Sequence, residues 1–181
     1  MRKVIVNEFV SLDGVVQAPG GADEDPSGGF AHGGWHLGYF DDLAQKWVVE
    51  GLTRAGGFLL GRRTYEIFAA YWPTAPEEEQ VVAEPLEWQN STLLQGDVAE
   101  AVAALKQEGD DEVHVIGSSE LVQTLTEHDL VDELRLMIDA LVLGGGKRIF
   151  RDDSARRPLR LVDGQVTTTG AILGTYAPAL G

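Results

Sequence analysis

Residues 2–12 carry apolar side chains on both faces of an alternating pattern: Val4, Val6, Val10 and Leu12 on one, Ile5 and Phe9 on the other. That predicts a central strand covered by helices on both sides. Asn7 and Glu8 interrupt the run, and a polar pair in mid-strand must find partners or a solvated patch. From Phe40 the period changes. Phe40, Leu43, Ala44, Trp47, Val48, Gly51, Leu52 and Ala55 follow helical spacing, with Asp41 and Asp42 in the first turn and Gly56-Gly57 as the stop.

Beyond it, Phe58-Leu59-Leu60 reads as a short strand, and Gly61-Arg62-Arg63-Thr64 turns the chain into a helix running toward Trp72-Pro73. Glu77 to Glu84 reads as a helix stopped by Pro85, and Ser91 to Leu94 as a short strand. Asp97 with Glu100 three positions on is a capping box. It opens a helix whose buried face is Val98, Ala101, Val102 and Leu105. Val113 to Ile116 is a strand, and Gly117-Ser118-Ser119 leads into a helix bearing Leu121, Val122 and Leu125. Residues 131–143 alternate as a strand. Gly144-Gly145-Gly146 is a turn. Leu159 to Thr169 and Ala171 to Tyr176 form two antiparallel strands, with Asp163-Gly164 as an alternative turn or bulge. Strand–helix alternation followed by a β-rich tail predicts an α/β fold. Its central sheet is mostly parallel, with antiparallel C-terminal edge strands and helices on both faces. No repeat or linker divides residues 1–181, so one domain is expected.

Composition narrows the function. The net charge of −15 argues against nucleic acid or an anionic membrane as partner. No apolar run approaches the ~20 residues of a membrane helix, and the N-terminus reads as a strand rather than a signal peptide. With no cysteine, disulfides and thiolate sites are excluded. A soluble cytoplasmic protein is the plain reading. Such an acidic chain would bind an anionic cofactor through local donors: arginines, helix N-termini and glycine turns.

Ligands of such sheets sit beyond the carboxyl ends of the strands. There the chain places Ser11-Leu12-Asp13-Gly14, Gly61-Arg62-Arg63-Thr64 and Gly117-Ser118-Ser119. The latter two suit phosphate, with the arginines adding forked donors. Asp13 would hold a ring N–H or relay a proton, or simply make a turn. The long segment Asp13 to Gly38 suits a lid. Its Phe30, Trp35 and Tyr39 would cover a flat ligand or pin the loop to the core. Gly144-Gly145-Gly146-Lys147 is not a P-loop, no G-x-S-x-G elbow exists, and the four histidines lack zinc spacing.

Taken together, Phe9-Val10-Ser11-Leu12-Asp13-Gly14, Leu59 to Glu66, Val115 to Ser119, Leu130 to Leu136, Val142 to Phe150 and Thr169-Gly170-Ala171 resemble the dihydrofolate reductase-like superfamily. The similarity is to the branch of the C-terminal reductase domain of the bifunctional riboflavin-biosynthesis protein. The resemblance implies a three-layer fold and NADPH as hydride donor to a pteridine- or pyrimidine-like heterocycle. It implies Gly61, Arg62, Arg63 and Thr64 on cofactor phosphate, and Gly117, Ser118 and Ser119 on the pyrophosphate. Asp13, with Ser11 and Trp35, would meet the substrate, Asp13 as the catalytic group. Two departures stand out. Val15-Val16-Gln17 follows Asp13-Gly14 where relatives reducing the riboflavin precursor have a lysine, so a phosphate-bearing sugar loses a partner. Pro85-Leu86-Glu87-Trp88 runs straight on where relatives have a further strand. A true deletion would set 91–94 beside 57–61 and weaken selection for NADPH over NADH. The rival expectation is a non-catalytic ligand-binding protein on the same scaffold. A homodimer through 131–143 and 159–176 fits either.

Overall fold

A computed structural model describes residues 1–74 and 91–179. The helix expected at Glu77–Glu84, its stop at Pro85 and the shortened stretch Pro85–Trp88 lie outside the described residues. The order is β1 (Lys3–Ser11), α1 (Asp42–Thr53), β2 (Ala55–Leu59), α2 (Arg62–Tyr71), α3 (Val98–Leu105), β3 (Glu112–Val115), α4 (Ser119–Glu127), β4 (Glu133–Asp139), β5 (Leu159–Val166) and β6 (Ile172–Pro178). Six strands form one sheet in the order β2-β3-β1-β4-β6-β5. β1 to β4 run parallel, and the β5–β6 hairpin closes the far edge antiparallel. This is the expected α/β architecture.

The alternation in β1 explains the layers. Val4, Val6 and Val10 pack with Val102, Val122 and Leu125, under α3 and α4. Phe9 joins the opposite core with Ala44, Trp47, Met137 and Leu173, under α1. Leu12 departs from the expected face: β1 ends at Ser11, and Leu12 is 60% exposed. On its β4 side β1 stays paired through Ser11, whereas pairing with β3 stops at Val6. Past Val6 the two parallel strands part, and this opening makes the site.

Caps fix where the helices begin. Asp41 accepts from the Ala44 amide at 2.9 Å, and its other oxygen accepts from the Thr168 amide and hydroxyl, fastening α1 to the β5–β6 turn. Asp97 accepts from the Glu100 amide at 3.0 Å, as the capping box predicts. Gly51 lets Arg135 cross α1: a Cβ there would sit 2.9 Å from Cζ. The guanidinium lies 4.3 Å above the Trp47 ring and donates to the Trp47 carbonyl.

Some boundaries differ from expectation. Gly56-Gly57 does not stop α1. The helix closes at Arg54, whose amide reaches the Gly51 and Leu52 carbonyls, and the glycines lie in β2 beside a register shift. Residues 91–94 form no strand; Leu93 is 73% exposed and only Leu94 packs against the core. In α3, Ala99 and Val102 are buried while Val98 faces out. The strand expected over 131–143 is trimmed to 133–139. Asp163 stands at a bulge, and the hairpin turn falls at Thr167–Gly170, with Gly170 at φ +87°. Among the described residues no helix is long and apolar enough to cross a membrane.

Candidate active site

The parting of β1 from β3 opens a cleft of about 670 Å³ along the carboxyl ends of β1, β2 and β3. One end is built from the two glycine turns, which touch. The Gly61 amide donates to the Gly117 carbonyl at 3.2 Å. A Cβ on Gly61 would lie 2.4 Å from Ser118 Oγ, and one on Gly117 would lie 2.7 Å from Thr64 Oγ1. Gly117 takes φ +54°, a conformation that favours glycine. Only glycines allow this approach, and it brings the starts of α2 and α4 together. Neither helix start carries a side-chain cap, so its amides remain available to an anion. Arg62, Arg63, Thr64, Gly117, Ser118 and Ser119 all line the cleft, and Gly61 shapes it from behind.

The two arginines differ. Arg63 donates to Asp25 at 3.2 Å and to the Ser27 hydroxyl. Lys147 reaches the other Asp25 oxygen at 2.5 Å. The contacts with Lys147 and Ser27 hold the Asp25 carboxyl below its ordinary value against the opposing effect of burial. Arg62 is exposed and has no partner among the described residues. Among the described residues of the two turns, it is the arginine left to meet a phosphate.

The other end is apolar. Phe9, Trp47, Val48, Leu52, Phe58, Ile67, Phe68 and Trp72 form its walls. Asn7 enters from β1 with a fixed orientation. Its amide nitrogen bonds the Ile5 carbonyl and lies 3.1 Å from Nδ1 of buried His114, whose Nε2 lies 3.1 Å from Glu112. Burial lowers the His114 pKa and favours the neutral ring. A proton on Nε2 shared with Glu112 leaves Nδ1 to accept from Asn7, so Asn7 keeps its oxygen for the cleft.

Glu8 is the residue that the sequence reading did not place at the site. The break it makes in an apolar strand was the available signal. Its side chain lines the cleft, and Oε1 accepts from the Gly117 amide at 2.8 Å. Burial pushes its carboxyl up to about 8, opposed by the Gly117 bond and helped by Glu24 across the cleft. Glu24, Asn7, Trp47 and Lys147 were likewise not anticipated here.

The substrate group expected from sequence lies elsewhere. Asp13 faces away from the cleft; its oxygens accept from the Leu143 and Gly144 amides at 3.1 and 2.9 Å and from the Ser11 hydroxyl at 2.7 Å. Those bonds, led by Ser11, lower its carboxyl to about 2. Ser11 is buried and also accepts from the Val15 amide. Trp35 donates to the Gln17 carbonyl at 2.8 Å and packs edge-on against His36. His36 stacks on Phe9 with centroids 3.7 Å apart and pairs with buried Asp139. The segment 13–38 is therefore tied down by its own aromatics. Only residues 16–20 and Glu24-Asp25 of it border the cleft.

A mostly parallel sheet, an antiparallel hairpin and a glycine cradle at diverging strand ends define a dihydrofolate reductase-like domain. The chain belongs to the RibD C-terminal domain family, whose model matches residues 2–173. It is 23% identical to the uncharacterized protein YyaP of Bacillus subtilis, over 97% of this chain and 94% of that one. A pyrimidine reductase-like protein from Corynebacterium diphtheriae shares the fold with a TM-score of 0.66 at 12% identity, over 99% of this chain and 93% of that one. Dihydrofolate reductase from Enterococcus faecalis, solved with NADP(H), does so with a TM-score of 0.59 at 14% identity, over 98% and 97% of the two chains. Family and fold together support a reductase-type role.

Proposed function

We propose that this protein is an NADPH-dependent reductase of a small, flat, pteridine- or pyrimidine-like heterocycle. The observation that carries it is the contact between the Gly61 and Gly117 turns, which converts two ordinary helix starts into one cradle for a diphosphate. The residues present fit that group. Arg62 and Thr64 would hold phosphate. The Ser118 and Ser119 amides would hold the pyrophosphate, since the Gly117 amide is already engaged by Glu8. When bound, the nicotinamide supplies the hydride. The chain itself orients and dries the reaction: Trp47 and Phe58 border the space for a ring, Asn7 offers an acceptor, and residues 16–20 border the cleft from the loop. A cysteine-free chain needs no oxidising compartment, which accords with a cytoplasmic location. The test is a fluorescence titration of the four tryptophans with NADPH and NADH. Saturable quenching by NADPH is expected; no binding of either at ~1 mM would remove the reading. Binding without turnover of any pterin, pyrimidine or quinone would make it a ligand-binding protein instead.

A further inference from the structure

The cleft joins an anion cradle to an apolar chamber, and Glu8 stands where they meet. Its neighbours on β1, Asn7 and Phe9, line the chamber, while its Oε1 is held by Gly117 in the cradle. Oε2 has no hydrogen-bond partner among the described residues. Among the described residues no cation is ion-paired with it: Arg63 and Lys147 are both drawn to Asp25, and Arg62 makes no ion pair.

The other acids among the described residues are unsuited to give a proton to anything in this chamber. Asp13 and Asp139 lie outside it. Asp25 is ion-paired twice. Glu24 accepts from the Gly20 and Gly21 amides at 2.7 and 3.1 Å through one oxygen, which fixes it on the loop. Glu66 and Glu120 are exposed residues of α2 and α4 at the cleft margin.

We infer that Glu8 is the proton donor of the reduction, with the heteroatom of the reduced double bond presented to Oε2. This rests on the reductase reading above. The π bond between carbon and that heteroatom breaks. Carbon gains a hydride from the reduced nicotinamide dinucleotide, which is oxidised. The heteroatom gains the proton of the Glu8 carboxyl, whose O–H bond breaks. The carboxylate regains a proton from water after product leaves. A carboxyl buried at the cleft, with no cation paired to it among the described residues, is suited to this task because it stays protonated near neutrality. The other charged groups that line the cleft are Glu24, Asp25 and Lys147 from the loops, Arg62, Arg63 and Glu66 from α2, and Glu120 from α4. Filling the cradle with diphosphate adds negative charge and favours the protonated form further.

The test has two readouts. In the first, wild-type protein and Glu8→Gln carry ¹³C-carboxyl glutamate, and each is titrated with pH, free and loaded with NADPH. A resonance titrating above pH 7, absent from Glu8→Gln, supports the assignment. A Glu8 already ionised at pH 7 in the loaded protein overturns it whatever the substrate. In the second, single-turnover reduction of 7,8-dihydropterin is followed against pH. Glu8→Gln keeps the acceptor for the Gly117 amide but has no acidic proton. It is expected to bind NADPH as before and to lose ~10²–10⁴ in rate, together with the alkaline limb of the profile. An unchanged rate and profile in Glu8→Gln overturns the inference. Wild-type protein that fails to bind NADPH removes the reductase reading itself, and the titration shows this before any variant is made.

Discussion

At the scale of single residues, two carboxylates in β1 and just after it have opposite fates. Asp13 is a knot that holds the 13–18 segment to the 143–144 turn. Replacing it with Ala strips acceptors from two backbone amides and a hydroxyl, which should cost ~1–3 kcal/mol. It should leave NADPH affinity nearly unchanged, and urea unfolding with a fluorescence titration checks both. Because folding lowers its pKa to about 2, the stability it lends is present above the unfolded value near 4 and is lost as pH falls toward about 2. Glu8 is the reverse case. Folding raises its pKa to about 8, so the folded state holds a proton that the unfolded chain has released. Stability therefore declines as pH rises from about 4.5 toward 8. Glu8→Gln should match the wild type in thermal melts at pH 4 and exceed it by several degrees, roughly, at pH 9. Equal melting temperatures at pH 9 would show that Glu8 ionises in the folded protein without penalty. The sequence marked both residues, Asp13 as the candidate for chemistry and Glu8 as a break in an apolar strand, and in the structure Glu8 is the one that lines the cleft. Asp-Gly after a strand suits a site and a turn equally well, and only the positions of the Leu143 and Gly144 amides decide between them.

At the scale of elements, the site depends on where two strands stop pairing. The periodicity of β1, α1 and α4 and the caps Asp41 and Asp97 were legible because each depends on nearest neighbours in sequence. The glycine turns at Gly61 and Gly117 were legible as strand-to-helix turns for the same reason. The chamber was not, since its walls come from α1, β2 and α2, and Trp47 reads locally as core. Trp35 was left with two readings because a loop aromatic gives no local sign of whether it covers a ligand or pins the loop; here its indole donates to the Gln17 carbonyl. Nor does composition reveal that Arg63 is taken by Asp25 while Arg62 has no partner among the described residues. That difference is testable. Arg62→Ala should weaken NADPH by ~10-fold or more, the worth of one charge-assisted bond, and flatten the salt dependence. Arg63→Ala should instead loosen the Asp25 loop, seen as faster proteolysis between residues 19 and 29. Gly117→Ala puts a methyl 2.7 Å from Thr64 Oγ1 at φ +54°, and should abolish NADPH binding while the circular dichroism spectrum stays native.

At the scale of the whole molecule, the sheet has unequal ends. The cleft occupies the β1–β3–β2 side, and the β5–β6 hairpin forms the other. Every residue of β5 is exposed, including Leu161 at 60% and Val166 at 67%. A long apolar edge with unpaired amides invites a second strand unless it is covered. Charge permits this here. The chain is strongly acidic, but residues 151–163 carry four arginines against three aspartates. Two copies can therefore approach this edge without the repulsion the net charge of −15 imposes elsewhere. We propose a two-fold dimer with β5 beside β5, extending one sheet across both copies. Analytical ultracentrifugation should find a dimer. Leu161→Asp combined with Val166→Asp should yield a monomer with unaltered NADPH affinity, because the hairpin stands two strands away from β1. A wild-type monomer at ~50 µM, a concentration at which a 1 µM dimer would be almost complete, would show the edge to be tolerated rather than used. Loss of cofactor binding in the double variant would show instead that the hairpin supports the cleft through β4 and β1.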